Sequence, residues 1–527
     1  FEEAYGDQCE NCGTSLSPNE LKNPKSRLSG NSPVKKETKH WFLPLDHLSG
    51  KIKSYIEQHK NWKPNVYGQC MSWLESGDGL QARSMTRDLD WGIPVPLKDA
   101  EGKVLYVWFD APIGYISATK ELMGDDWQKY WQDDDTQLIH FIGKDNIVFH
   151  CIIFPALLME HGGFHLPDEI PANEFLNLEG RKISTSRNWA VWLHEYLQDF
   201  NHRQDSLRYT LCATAPESKD NDFTWKDFQA RNNSELVAIL GNFVNRVLVL
   251  MQKYYQGRIP AKGELMPADE ELLEQIKETP DRIAGALDKY RFREAQSAMM
   301  QLARLGNKYL AEEEPWKKVK TDENRTATIM YVAAQVAGQL SQMMEPFLPF
   351  SAAKLRTYLK LEKLQWAECR TTEFLPEQKT IEKGDLLFQK IEDAAIEQQL
   401  QKLEASRNAN ESKKFKPLKE EIQFEDFVKT DIRCGEIIKA TKVPKTSKLL
   451  QLEVDMGFEK RTIVSGISQY FDPEKLAGQK VSVVANLAPR KIKGVESKGM
   501  ILMAENSDGS LRFAEPAAGT ENGAVIS

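Results

Sequence analysis

Two apolar runs, Val104-Leu105-Tyr106-Val107-Trp108-Phe109 and Gln137-Leu138-Ile139-His140-Phe141-Ile142-Gly143, decide the fold of the first half of the chain. Each is short, continuous and bounded by polar or Gly residues, the pattern of a buried strand. A helix-like stretch begins between them near Ile113. Strand, helix, strand predicts a parallel α/β unit, with its chemistry at the carboxyl ends of the strands. Upstream, residues 1 to about 40 are rich in Gly, Ser, Asn, Pro and Lys and read as loops needing an organiser other than an apolar core. Downstream, from about Asn232 to Tyr358, the period becomes helical: Leu236, Leu240, Phe243, Val247 and Met251 share one face, and Phe292–Leu310 and Ala327–Met344 repeat the pattern. That predicts an all-α bundle. Residues 396 to 420 are highly charged and read as a fraying helix followed by a flexible tether. Beyond Phe424, the runs Leu450–Val454, Lys460–Val464, Val481–Val484 and Gly499–Met503, broken by Gly, Pro and Asn, predict a small β-barrel.

The bulk composition sets limits. At 527 residues the chain exceeds a single core, and domain-size statistics predict roughly three or four units. With 69 Lys and Arg against 77 Asp and Glu, the net charge of −8 means that any nucleic-acid surface must be local. No apolar run suggests a bilayer span and no basic-then-apolar segment opens the chain, so the expectation is a cytoplasmic protein without a membrane partner. Seven scattered cysteines argue against a disulfide framework. Only Cys9 and Cys12 stand at metal-knuckle spacing. The sequence opens at Phe1, inside what reads as a continuing loop.

The segment Gly180-Arg181-Lys182-Ile183-Ser184-Thr185-Ser186-Arg187 follows the strand-like Glu174–Leu178. Small hydroxyl residues between cations can wrap a polyphosphate: hydroxyls and backbone N–H groups bond the oxygens, and Lys182 and Arg187 balance charge that develops in an in-line displacement. An isolated Lys-x-Ser-x-Ser is more often an exposed basic turn. Its neighbours change that reading. This loop resembles the KMSKS signature of class I aminoacyl-tRNA synthetases. The runs Tyr106-Val107-Trp108-Phe109-Asp110-Ala111-Pro112-Ile113-Gly114-Tyr115 and His140-Phe141-Ile142-Gly143-Lys144-Asp145, then Phe149-His150, resemble the methionyl branch. Asn242, Arg246, Pro315-Trp316 and the C-terminal barrel continue the resemblance in order along nearly the whole chain.

The resemblance implies a methionine–tRNA ligase that forms methionyl-adenylate from ATP and passes methionine to tRNA(Met). Its fold would be the second half of a Rossmann-like catalytic domain, a helical anticodon-binding bundle and an OB-fold. It implies a partial connective, zinc-knuckle region over 1–104, the catalytic half over 105–175 and the signature-loop region over 176–230. The bundle would span 231–370, a helix and charged linker 371–420, and the OB domain 421–527. A methionine pocket needs aromatic walls for a flexible thioether, and Trp108, Pro112, Tyr115 and His150 match the family pocket, with Phe154 a further wall. A lone Trp in a strand is otherwise a plain core residue. Gly143 and Asp145 match the ribose contacts, although a capping Asp at a strand–helix turn would look the same. Lys182, Ser184, Thr185 and Ser186 match the signature loop, and Arg87 an arginine near the active site.

Asn242 and Arg246, spaced i, i+4 on one helix face, can bond base edges, while Trp316 after Pro315 offers a stacking platform. They match the family's CAU-anticodon readers; a generic Asn/Arg pair is a solvated face. The barrel resembles a tRNA-binding OB module through Asp431-Ile432-Arg433 and Asn486-Leu487-Ala488-Pro489-Arg490-Lys491-Ile492-Lys493. Arg433, Lys448, Arg490, Lys491 and Lys493 are its candidate phosphate contacts, and the family's use of this module implies a homodimer.

The pattern departs in three places. Thr185 stands where the signature loop often has a second lysine. Cys9 and Cys12 supply two of the four ligands of a structural zinc site; Cys70 is distant and no nearby His completes the set. No His-x-Gly-His occurs, so the 527 residues are expected not to adenylate alone, although magnesium is expected with ATP. The competing reading is a non-catalytic tRNA-binding protein that keeps the bundle and the barrel. A neighbouring class I synthetase fits less well, given the Trp108–Tyr115 run and the lack of room for an editing insert.

Overall fold

The computed structural model describes residues 21–26, 31–75, 77, 79–185, 188–411, 421–444, 446–506 and 510–527, with 408–411 as helical backbone only. The chain forms two units, one built on Lys35–Arg407 and the other on Asn408–Ser527 with Lys22–Val34.

In the first unit, the helices Leu45–Gln58 and Pro64–Glu75 bury Ile52, Ile56, Val66 and Cys70 against Phe109, Phe149, Ile152 and Ile153. The run expected to be a strand over 104–109 splits. Only Val104–Leu105 is paired as a strand, antiparallel to Thr86–Arg87, and Val107–Asp110 is a helical turn. An apolar run this short does not itself distinguish strand from buried helix. Here Phe109 N–H bonds the Tyr106 carbonyl at 2.8 Å and opens the turn. The helix expected near Ile113 spans Ile113–Met123. The two runs do not pair with each other: of 137–143 only Ile142–Gly143 is a strand, parallel to Ala172–Asn173, and a second parallel pair joins Leu176–Leu178 to Asn221–Phe223.

Two helical stretches carry π turns, Phe149–Ile153 and Asn232–Gly241. The second is embedded in a continuous helix from Trp225 to Tyr255. By length and composition alone, this helix could cross a membrane, a run the sequence reading did not find. Its apolar face, however, is committed: Leu236, Leu240, Phe243, Val247 and Met251 are fully buried in the bundle core. Its polar residues are bonded within the protein, Asn232 accepting from Ser206 Oγ at 2.8 Å and Asn233 donating to the Ile391 carbonyl at 2.9 Å.

The bundle adds helices Pro267–Leu287, Phe292–Glu313, Glu323–Met343 and Pro349–Leu359. Glu323–Met343 is buried on nearly every face. Gly306 lets Phe292–Glu313 approach Asn242–Tyr255 closely, since a Cβ there would stand 2.5 Å from the Phe243 ring. Of the charged segment expected over 396–420, residues up to 411 belong to the helix Asp393–Glu411, with Ile396 and Leu403 packed among Tyr196, Trp225 and Phe228, and 412–420 lie outside the described residues. Gln399 Nε2 bonds Asp199 at 2.7 Å, so two apolar contacts and a polar one hold what charge density alone suggested was loose.

The second unit is a curled antiparallel sheet. Lys460–Ser465, Leu450–Asp455, Ile432–Lys442, Lys480–Val484 and Met500–Ile501 lie in that order, and Val525–Ile526 also pairs with Ile432–Lys442. Lys498 N–H to the Thr462 carbonyl at 2.8 Å joins the two ends of the path, giving the barrel expected from the alternating runs. Ile437, Leu452, Val454, Ile463, Val481 and Val483 fill it.

Candidate active site

His150 sits in the π segment Phe149–Ile153, and its ring is fixed from both sides. Nδ1 lies 3.0 Å from the Asn146 carbonyl. A carbonyl only accepts, so Nδ1 carries the proton and Nε2 is left as the acceptor of Tyr115 Oη at 2.9 Å. Burial lowers the His150 pKa against the opposing bond to Asn146. The imidazole is therefore neutral. Tyr115 reaches it from the first turn of helix Ile113–Met123, just after the buried Pro112. Phe154 lies edge-on to the Tyr115 ring, 6.4 Å between centroids. Trp108, on the Val107–Asp110 turn rather than a strand, stacks on Phe149 at 4.9 Å and is 40 % exposed. Tyr115, His150 and Phe154 thus form one aromatic cluster, and Trp108 stacks on Phe149, the residue before His150.

His140, the first residue of the second resembling run but given no role from the sequence, packs into the same cluster. Its ring lies 5.2 Å from Tyr115, 5.1 Å from His150 and 6.0 Å from Phe154. Burial first, then His150, pushes its pKa down to about 4, and its Nε2 is buried with no partner. Its place at the head of the resembling run His140–Asp145 is the signal that could have marked it.

Gly143 ends its strand, and the turn Lys144–Asn146 presents Asp145 to solvent. A Cβ at 143 would stand 2.7 Å from Asp145 Oδ1, so the glycine leaves that carboxylate its position. Lys144 Nζ bonds Glu174 at 2.8 Å and Asp220 at 2.7 Å. These residues lie at the base of the signature loop. Its strand Arg181–Lys182 pairs antiparallel with Leu176–Leu178, and Ser184 and Trp189 exchange backbone bonds at 3.0 and 2.9 Å. The Phe175 ring receives both ammonium groups, Lys144 at 4.5 Å and Lys182 at 4.9 Å. Thr185 is exposed; Ser186 lies outside the described residues. Arg87 lies over the Tyr106 ring at 3.8 Å and donates to the Thr86 carbonyl at 2.8 Å, bracing the strand that leads into the pocket.

In the bundle, Asn242 and Arg246 share a helix face. Asn242 donates to Asn307 Oδ1 at 3.3 Å, and the Arg246 guanidinium lies 5.9 Å from the Trp316 ring centroid. Pro315 is buried beside the 37 % exposed Trp316. In the barrel, Arg490–Ile492 and Val495–Ser497 form a hairpin closed by Lys493 and Gly494 at φ 51° and 88°, the two left-handed positions of a tight turn. Arg490, Lys491 and Lys493 are exposed there, and Lys448 is exposed elsewhere on the same unit. Arg433 differs: it bonds Asp431 at 2.9 Å and the Gly523 carbonyl at 3.2 Å and lies over Phe458, so its guanidinium is taken up within the barrel. Cys9 and Cys12 lie outside the described residues, among which no group of three or more His, Cys, Asp or Glu side chains could hold a metal ion.

A parallel sheet carrying a lysine–hydroxyl loop, followed by a helical bundle and a barrel, is the architecture of a class I aminoacyl-tRNA synthetase. The family model for class I (M) tRNA synthetases matches residues 1–248. That for the anticodon-binding domain of methionyl tRNA ligase matches 259–408, and that for a putative tRNA-binding domain matches 432–525. The methionine–tRNA ligase of Bacteroides fragilis is 58 % identical over 528 residues, an alignment covering 100 % of this chain and 78 % of the relative. That of Cytophaga hutchinsonii is 59 % identical over 538 residues with the same coverage. Two crystal structures of Mycobacterium tuberculosis methionyl-tRNA synthetase superpose at 26 % identity. The free form has a TM-score of 0.59, covering 67 % of this chain and 69 % of that one. The complex with methionyl-adenylate has a TM-score of 0.63, covering 71 % and 74 %. The chain belongs to the methionine–tRNA ligase family.

Proposed function

We propose that the pocket formed by Trp108, Pro112, Tyr115, His150 and Phe154 holds the methionine side chain, in a protein that activates methionine with ATP and transfers it to tRNA(Met). The thioether is soft and polarizable and suits ring contacts. A neutral His150, held by Tyr115, offers it no charge to desolvate. Gly143 admits the ribose, and Asp145 accepts hydrogen bonds from its hydroxyls. Lys182, Ser184, Thr185 and Ser186 wrap the polyphosphate, and Arg87 keeps the wall behind the pocket in place. A methionine carboxylate oxygen then attacks the α-phosphorus in line as pyrophosphate departs with the bonding electrons. A ribose hydroxyl at the end of the tRNA next attacks the activated carbonyl and AMP leaves. Positioning and charge balance drive both steps, without a covalent nucleophile on the protein. Magnesium bound to the nucleotide would supply charge shielding of its phosphates. Zinc, for which Cys9 and Cys12 would be two of four ligands, enters no step.

Asn242, Arg246 and Trp316, seated by Pro315, read the anticodon, and Lys448, Arg490, Lys491 and Lys493 track tRNA phosphates. Homodimerisation through residues 421–527 and a cytoplasmic location complete the reading.

The observation that supports it is the Phe175 ring lying under both Lys144 and Lys182, which couples the ribose turn to the phosphate loop. The test is methionine-dependent ATP–pyrophosphate exchange, run on the 527 residues and on a chain extended upstream through a His-x-Gly-His turn. Only the extended chain is expected to turn over. In it, Tyr115→Phe leaves His150 Nε2 without its donor and raises the methionine KM by about ten-fold, the scale of a buried acceptor left unpaired. An unchanged KM refutes the pocket.

A further inference from the structure

Helix Phe292–Glu313 ends in a corner. Glu314 takes the left-handed conformation at φ 43°, which costs a residue with a Cβ, and Pro315–Lys318 starts a new short turn. Trp316 projects from that turn. Beneath it lies a charge network that the catalytic reading does not use. Glu313 Oε2 accepts from Arg325 Nη2 at 2.9 Å and from Lys318 Nζ at 2.7 Å. One carboxylate oxygen thus links the last residue of the long helix to the last residue of the Trp316 turn. Arg325, on helix Glu323–Met343, continues to Asp269, with Nη2 3.0 Å from Oδ1 and Nη1 bonded to Oδ2. Tyr309 Oη and Met266 N–H also donate to Asp269, at 2.5 and 2.9 Å. Asp269 is fully buried and Arg325 nearly so. Burial alone would raise the Glu313 carboxyl, but the bonds from Lys318 and Arg325 outweigh it and hold it below its usual range.

Buried ion networks are poor devices for stability, because apolar residues of similar volume do as well; what they fix is geometry. The geometry fixed here is the corner that carries Trp316. We infer that Glu313, gripped by Arg325 and Lys318, is a positioning residue that sets the Trp316 ring for stacking on an unstacked anticodon base. The inference rests on the anticodon reading of Trp316 given above.

The test is a double-mutant cycle on tRNA(Met) charging in the exchange-competent chain, with exchange measured alongside. Glu313→Gln keeps the side-chain shape but turns a donor or a weaker acceptor toward two cations. It is expected to raise the tRNA KM about ten-fold, the scale of a lost charge-assisted hydrogen bond, with exchange unchanged. Trp316→Ala raises the tRNA KM as well, and the double variant is expected to match Trp316→Ala alone. Effects that multiply in the double variant, or no change in Glu313→Gln, overturn the inference while leaving the anticodon reading standing. An unchanged tRNA KM in Trp316→Ala overturns both. Should Glu313→Gln fail to fold, Lys318→Met removes only the half-exposed arm of the clamp. It is expected to raise the tRNA KM about three-fold, a fraction of a full charge-assisted bond, and to have no effect in the Trp316→Ala background. A rise that persists there overturns the inference.

Discussion

Gly306→Ala separates packing from helix propensity when set against Gly285→Ala. Both glycines lie inside helices, Gly306 in Phe292–Glu313 and Gly285 in Pro267–Leu287. An added methyl group at 285 meets nothing within 4 Å, whereas at 306 it would stand 2.5, 2.7 and 2.9 Å from three atoms of the Phe243 ring. Ordinary carbon contacts lie near ~3.5–4.0 Å, so the two helices must part by roughly an ångström. Phe243 is fully buried and cannot swing out to relieve the contact. Replacing a helix glycine with alanine is worth up to ~0.8–1.0 kcal/mol, the most to be expected at 285, in the last turn of its helix. At 306 an overpacking cost of ~1–3 kcal/mol opposes it, for a net loss of up to about 2 kcal/mol and a gap of ~1–3 kcal/mol between the two variants. Urea unfolding followed by far-ultraviolet circular dichroism measures that gap. Because the displaced helix carries Asn242 and Arg246, Gly306→Ala should also raise the tRNA KM while leaving pyrophosphate exchange unchanged. Equal stabilisation by both substitutions would refute the reasoning.

The two pocket imidazoles give a pH prediction. His140 titrates near 4 and His150 below its ordinary 6.5, both driven first by burial of the charged form. Neutral rings favour the fold fully above the unfolded value of 6.5, and that contribution is lost as pH falls toward 4. His140 alone accounts for a loss of ~3 kcal/mol by this route. His140→Phe should therefore flatten the acid limb of stability, and the methionine KM should stay level from pH 8 to pH 6.5; a KM transition centred at or above 6.5 contradicts the neutral pocket. Deleting residues 421–527 should raise the tRNA KM and leave a monomer, checked by sedimentation; a shortened chain that still sediments as a dimer removes that role from the barrel.

The bundle and the barrel were legible because their cores repeat. Leu236, Leu240, Phe243, Val247 and Met251 are buried together as their spacing requires, and the alternation over Leu450–Asp455 buries Leu450, Leu452 and Val454. Unrepeated features were harder to read. The run from Val104 to Phe109 is apolar whether extended or helical, and a hydrogen bond to its own Tyr106 decides between the two. The anchorage of Asp393–Glu411 depends on Ile396 and Leu403 meeting partners nearly two hundred positions upstream. In the site, the motifs located the aromatic residues but not the contacts among them. His140 stands at the head of a resembling run, but its place against Tyr115, His150 and Phe154 follows only from the fold. The ion network at Asp269 and Arg325 joins residues 56 positions apart, and no spacing rule links them.

The two π turns share a consequence for how such a chain can vary. One contains His150; the other ends where Asn242 begins. A π turn accommodates an extra residue in a helix at the expense of regular bonding. Removing one residue from 232–241 would let that stretch relax toward α geometry with the face beyond it roughly kept, whereas removing one between Asn242 and Arg246 would rotate all that follows by about 100°. In the first case Asn242 and Arg246 would still share a face; in the second Arg246 would turn away from it without either being substituted. The direction in which Asn242 and Arg246 point is thus stored in residue count as well as in residue identity, and the place of a deletion decides whether it is kept.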